Sequence, residues 1–156
     1  MSTPNNSFRP QKYMNPGDFK RKEMIFFENM LSFDSDIILV EGPVDAMSLV
    51  NAVPLMGKSL NKDYYLFECL LKLSTQDIIV FLDNDATEDC KQICKKLSDA
   101  GLCNRVKYVP TEELRLKIIE SKKIELKKLD PGKLFEIGGY KAVSWALKSC
   151  KIYECI

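Results

Sequence analysis

The chain has 156 residues, which suits a single domain with a sizeable core. Its 23 basic and 22 acidic residues leave a net charge of +1, which argues against nucleic-acid binding through bulk charge alone. No apolar run approaches the roughly 20 residues of a membrane-spanning helix, and the polar N-terminus lacks the apolar region of a secretory signal. Histidine is absent, which excludes histidine acid/base chemistry and histidine metal sites. We therefore expect a cytoplasmic protein with no membrane partner.

Three regions follow one another along the chain. Residues 1–11 are polar, and we predict that they are disordered. Residues 12–36 form a segment with enough apolar side chains to pack on a core, and residues 37–156 form the main domain. Strands are predicted at 37–41, 53–57, 77–83 and 105–109. Helices are predicted at 43–52, from 59 or 61 to 73, at 87–100, within 111–128 and at 139–150, with a turn at 130–132. This alternation is typical of βαβ units, so we expect an α/β fold with a mostly parallel four-stranded sheet flanked by helices.

Two predicted strands end abruptly in carboxylates. Residues 37–45 read IILVEGPVD, and residues 78–85 read IIVFLDND. An apolar run of this kind indicates a strand buried on both faces, as in a parallel sheet. Because parallel crossovers are right-handed, both acidic ends fall on one edge of the sheet, where open α/β sheets bind ligands.

The acids at this edge have the chemistry of a site for hard cations. Asp83 and Asp85 are two residues apart and project to the same side, whereas Asn84 points away. Glu41 comes from another strand end, and Asp45 aims back from the following helix. Oxygen ligands of this kind suit one or two Mg²⁺ ions and in-line phosphoryl transfer. Two alternatives stay open: Asp85 only caps the next helix, and Asp45 only complements its helix dipole.

The order of these motifs resembles a known family. EGPVDA at 41–46 followed by DND at 83–85 is similar to the Toprim domain of topoisomerases, primases and some nucleases, and most of all to bacterial-type and phage primases and primase-helicases. KYMNP at 12–16, GKSL at 57–60 and KLDPG at 128–132 also resemble primase segments, so the resemblance covers roughly residues 12–150. It implies a catalytic Glu41 and Mg²⁺ or Mn²⁺ ligands at Asp83 and Asp85, with Asp45 and Asp130 completing the cluster.

The resemblance also implies a function and partners. It implies Mg²⁺-dependent nucleotidyl transfer in RNA primer synthesis, with single-stranded DNA template and nucleoside triphosphates as ligands. Primases carry a zinc module and a basic half before the Toprim fold, and this chain shows neither. We therefore expect a stand-alone Toprim piece that works with another primase or replication protein, in a bacterial host's cytoplasm if a phage encodes it. The alternatives are a catalytically degenerate Toprim binding module and a small Toprim nuclease.

Five lysines are candidate contacts to a nucleic-acid backbone, since lysine–phosphate contacts supply non-specific affinity: Lys12, Lys20, Lys22, Lys58 and Lys128. The lysine-rich stretch 122–133 is equally consistent with a solvated face. One departure from the family concerns the residues after Asp85, where Ala86 and Thr87 stand in place of a small Ala-Gly step.

The six cysteines show no paired spacing, which predicts reduced thiols. Cys90 and Cys94 share a helical stripe with Ile93 and Leu97, which indicates a core face. No zinc is expected, because no CxxC pair is present. A zinc site built from Cys103, Cys150 and Cys155 is the alternative.

Overall fold

The computed structural model describes residues 22–155. The predicted disorder of residues 1–11 and the candidate lysines Lys12 and Lys20 lie outside the described residues. The strands are β1 (Ile37–Val40), β2 (Ala52–Pro54), β3 (Ile78–Val80), β4 (Val106–Tyr108) and β5 (Lys151–Ile152). The helices are α1 (Pro43–Met47), α2 (Tyr65–Leu71), α3 (Thr87–Leu97), α4 (Thr111–Lys122) and α5 (Pro131–Lys148), and a short 3₁₀ helix covers Glu28–Met30. None of the helices within residues 22–155 has the length and apolarity to cross a membrane.

The five strands form one sheet in the order β2-β1-β3-β4-β5. The first four are parallel, and β5 pairs antiparallel with β4. The predicted α/β fold with a mostly parallel sheet is therefore confirmed, but the predicted number of four strands is wrong by one. The strand β5 is only two residues long and exposed, so it carries no alternating pattern that a sequence would show.

Helices cover both faces of the sheet, and β1 is buried from end to end. Ile37 and Leu39 pack in the core shared with α2 and α3. Ile38 and Val40 pack in the core shared with α1, α4 and α5. This alternation follows from the two-residue period of a strand and explains why the strand has no polar position.

Several helix boundaries differ from the predicted ones: α2 begins at Tyr65 rather than at 59 or 61, and the start of α5 and the end of α1 differ for physical reasons. The predicted turn at 130–132 is the start of α5: Asp130 caps it by accepting a hydrogen bond from the backbone N–H of Lys133 at 2.6 Å, and Pro131 takes the first helical position. The helix is interrupted at Gly139, whose φ of 59° and ψ of −150° suit glycine alone. The helix after β1 ends early, and Asn51 follows it with a φ of 59°.

The cysteines divide into two groups. Cys90 and Cys94 are buried on one face of α3, which confirms the predicted core stripe. Cys103 and Cys155 form a disulfide across a sequence separation of 52, so the prediction of reduced thiols is wrong for this pair. The antiparallel strand β5 brings the end of the chain to the edge of β4, and this tertiary contact has no counterpart in the local sequence.

Candidate functional site

The acidic residues collect at the point where the order of strands reverses. From β1 the chain moves outward to β2, then returns to form β3 on the other side of β1. Leu39 lies opposite Val80 in the parallel register, so the chain leaves β1 and β3 at the same edge. Glu41 follows β1 directly, and Asp83 lies three residues beyond β3. Open α/β sheets bind their ligands in the crevice at such a point.

The buried part of the site consists of Asp83 and the Oε2 atom of the half-buried Glu41. Asp83 is 5% exposed. Among the described residues, Glu41 Oε2 and Asp83 Oδ1 are buried without a hydrogen-bond partner. Burial, followed by the charge of Asp83, raises the pKa of Glu41 to about 7. Unpaired buried oxygen atoms are rare in folded proteins, so this pair calls for a ligand or a proton between the two side chains.

Asp45 and Asp130 meet beside the start of α5. The backbone N–H of Gly132 donates to Asp45 Oδ1 at 3.1 Å. A Cβ atom at Gly132 would lie 3.3 Å from Asp45 Oδ1 and 3.5 Å from Asp130 Oδ1, so glycine allows this close approach. Burial, and then the charges of Asp130 and Asp83, raise the pKa of Asp45 to about 6. The four carboxylates therefore act on one another electrostatically.

Asp85 lies on the open side of the site. Its side chain is 55% exposed and pairs with Lys58 at 3.4 Å. The residue that caps α3 is Ala86, and no side chain donates or accepts a capping hydrogen bond there. The interpretation of Asp85 as only a helix cap is therefore wrong.

Two of the five candidate lysines contact these acids. Lys128 Nζ lies 2.6 Å from Asp83 Oδ2, and Lys58 pairs with Asp85. Lys22 contacts the start of α2 instead. Its carbonyl oxygen accepts a hydrogen bond from the backbone N–H of Tyr65.

Asn84 has a role that the sequence analysis missed. Its backbone N–H donates to Leu129 O at 3.0 Å, and its Oδ1 accepts from the Leu129 N–H at 2.7 Å. Its Nδ2 also donates to Glu112 Oε2 at 3.0 Å. These bonds fix the segment that carries Lys128 and Asp130 against the end of β3. The sequence did contain a signal for this role. Asn84 was predicted to point away from the acids, and its amide carries both a hydrogen-bond donor and an acceptor.

The chemistry of this donor set fits a hard divalent cation. All five carboxylates offer oxygen, and two buried oxygen atoms lack a partner. Asp83 and Asp85 are the first residues that would hold the ion, with Glu41, Asp45 and Asp130 around them. Within residues 22–155 no three acidic or cysteine side chains are arranged to hold an ion as they stand. Asp83 and Asp85 are paired with lysines instead.

No protein-family model and no curated protein matches this chain. Its fold is similar to the crystal structure of the RNA polymerase domain of the primase DnaG from Mycobacterium tuberculosis, with a TM-score of 0.62 and 16% sequence identity. The similarity covers 94% of this chain and 48% of that one, so the chain spans about half of the solved domain. The likeness establishes a primase-like fold.

Proposed function

We propose that this chain is the Toprim module of a DNA primase and that it supports Mg²⁺-dependent nucleotidyl transfer together with a partner chain. Two findings support the proposal: the primase-like fold and the gathering of five carboxylates at the sheet edge where open α/β sheets bind ligands. The substrates of this proposal are nucleoside triphosphates and a single-stranded DNA template.

The observation that carries the proposal is the buried pair of Glu41 and Asp83. A purely structural acid acquires hydrogen-bond donors, because an unpaired buried oxygen atom costs about 1–3 kcal/mol. Here Glu41 Oε2 and Asp83 Oδ1 acquire none among the described residues, apart from a proton that the two side chains can share. Such a cost is retained where function requires it.

The residues have distinct roles in the proposed reaction. When bound, Mg²⁺ would supply charge stabilisation to the attacking and leaving oxygen atoms. Asp83 and Asp85 would hold the ion, and Asp45 and Asp130 would add negative charge beside it. Glu41, whose pKa is raised by burial to about 7, would accept a proton from the attacking hydroxyl group, because a base works best with a pKa near the operating pH.

Metal binding provides the first test. We expect Mn²⁺ at a hundred times its dissociation constant to stabilise the wild type by about 2.7 kcal/mol in thermal unfolding. The double variant Asp83→Asn/Asp85→Asn should lose this stabilisation. The matched control is Asp63→Asn, which removes an exposed acid from the loop before α2 and should respond as the wild type does. Equal stabilisation of the double variant contradicts the assignment of the ligands.

Primer synthesis provides the second test. The chain is combined with candidate replication proteins of its own genome on single-stranded templates with Mg²⁺ or Mn²⁺. Glu41→Gln should abolish the synthesis, since glutamine has nearly the same shape and cannot take the proton. Synthesis that is unaffected by Glu41→Gln rejects catalysis by this chain.

One observation favours a second candidate, a degenerate Toprim binding module within a replication complex. Lys128 already neutralises Asp83 at 2.6 Å, in the position where an active enzyme needs a cation. A permanent pair of this kind predicts no response to Mn²⁺ in the wild type.

A further inference from the structure

Lys128 holds an unusual position for a lysine. Its ammonium nitrogen lies 2.6 Å from Asp83 Oδ2, and the Asp83 side chain is only 4% exposed. The lysine side chain itself is 52% exposed, so the same residue reaches both a buried acid and the solvent. The pair of Lys58 and Asp85 differs, because both side chains are well exposed and 3.4 Å apart. Exposed pairs of that kind contribute little.

The backbone beside Lys128 is fixed, whereas its side chain is half exposed and ends in the contact with Asp83. Leu129 is fully buried, and two hydrogen bonds join its backbone to Asn84. The four-carbon stem of lysine is flexible and its ammonium group is strongly hydrated. Loss of the contact with Asp83 therefore moves the ammonium group into solvent at the rim of the acidic site and leaves the backbone in place.

The charges around Asp83 make the lysine a competitor of metal ions. The hydrogen bond to Asp83 raises the pKa of Lys128, and the charges of Asp83, Asp85 and Glu41 add to this effect, so the ammonium stays protonated. Asp83 Oδ2 has one lysine as its ion-pair partner among the described residues. A cation that binds Asp83 through this oxygen has to displace the ammonium group first.

We infer that Lys128 is an exchangeable counter-ion of the acidic site, which neutralises Asp83 in the metal-free protein and, when a divalent cation displaces it, binds a phosphate group of the ligand. The first half rests on the ion pair alone. The second half rests on the proposed function, which supplies a triphosphate. Lysine binds phosphate as a point charge, and the displaced ammonium group remains within a side chain's length of the cation.

The test compares variants in two binding assays with opposite expected outcomes. Mn²⁺ binding is measured by isothermal titration for the wild type and for Lys128→Met, Lys128→Gln and Lys128→Arg. The Met and Gln variants should bind Mn²⁺ roughly tenfold more tightly, because a positive charge beside the acid is lost. Lys128→Arg keeps the charge and should stay near the wild type. Lys127→Met makes the same change of charge one residue away, at an exposed position, and serves as the matched control.

The second assay uses the preformed Mn²⁺ complex of inorganic tripolyphosphate. Lys128→Met should bind this complex several-fold more weakly than the Lys127→Met control, although it binds free Mn²⁺ more tightly. A structural role would not move the two affinities in opposite directions.

The outcomes separate this inference from the proposed function. Equal Mn²⁺ affinity in Lys128→Met and Lys127→Met overturns the exchange of lysine for metal. A wild type that binds no Mn²⁺, together with a Lys128→Met variant that does, supports the exchange and rejects the proposed metal-dependent function. Equal affinity of both variants for the tripolyphosphate complex overturns the phosphate contact.

Discussion

At the scale of single residues, the acidic site lowers the stability of the folded chain. Asp83 is buried beside the half-buried Glu41, and Asp45 and Asp130 add like charge beside them. Burial and mutual repulsion both disfavour the ionised forms, which raises the pKa values of Glu41 and Asp45. The site is therefore a local source of instability, which a bound cation would relieve.

This instability predicts how stability depends on pH. The pKa of Glu41 is about 7 in the folded chain, against its ordinary value of 4.5. Between these two pH values the folded state binds more protons than the unfolded state, so the free energy of unfolding falls as pH rises through this window. Because solvent screens part of the effect, we expect Glu41 to account for about 1 kcal/mol. Asp45 acts in the same direction at lower pH, with a pKa of about 6.

The measurement is urea unfolding in EDTA at pH 5 and pH 8. Glu41→Gln should be more stable than the wild type at pH 8 and should lose less stability between the two pH values. Glu120→Gln, at an exposed position of α4, should retain the wild-type difference. A Glu41→Gln variant with the full wild-type pH dependence would show that Glu41 ionises normally.

At the scale of elements, the edge strand β5 depends on contacts that lie far apart in the chain. It pairs with β4 through two residues, and Lys151 Nζ binds Glu113 Oε2 at 2.6 Å. The Tyr153 N–H donates to Val106 O at 2.8 Å, and the disulfide between Cys103 and Cys155 closes the tail onto the turn before β4. An isolated two-residue strand has little stability of its own, so the disulfide holds this edge.

Reduction should therefore destabilise the protein by about 2–4 kcal/mol, the usual contribution of a disulfide that closes a long loop. Oxidised protein unfolded without reductant should show four free thiols, since Cys69, Cys90, Cys94 and Cys150 are unpaired, and dithiothreitol should expose two more. Cys103→Ser should lower the melting temperature under oxidising conditions, whereas Cys69→Ser, which removes a free thiol, should leave the response to reductant unchanged. Six thiols in the oxidised protein would contradict the pairing.

At the scale of the whole molecule, the chain matches half of a solved polymerase domain. Nucleotidyl transfer requires cations, a channel for the template and a pocket for the triphosphate. In the proposed reaction, the acidic site would supply the first of these. Channels for single strands are lined with basic residues, but the net charge of this chain is +1, and Lys58 and Lys128 are paired with acids.

We therefore expect the isolated chain to make no primers, with activity appearing only in complex with a partner. The assay is primer synthesis on single-stranded templates with the chain alone and with candidate partners added one at a time. Robust synthesis by the chain alone that Glu41→Gln abolishes would refute the need for a partner and leave the assignment of the site intact.

The amino-acid sequence by itself determined the parallel sheet and the place of the acidic site. Apolar runs, helix caps and carboxylates after buried strands are local signals, and local signals need no knowledge of distant neighbours. For this reason β1, α3 and the acidic ends at Glu41 and Asp83 were predicted, with errors of a few residues at boundaries where side-chain packing decides.

Only the tertiary structure decided which charges meet. Asn84 bonds to Leu129 over 45 residues, Lys128 reaches Asp83, and Cys103 joins Cys155 over 52 residues. The sequence contained each of these side chains, but their partners depend on how helices and strands pack. A difference of a few ångströms in the distance between side chains decides whether an acid lacks a partner, as Glu41 does at Oε2, or pairs with a lysine, as Asp83 does. Packing sets such distances, and no local pattern encodes them.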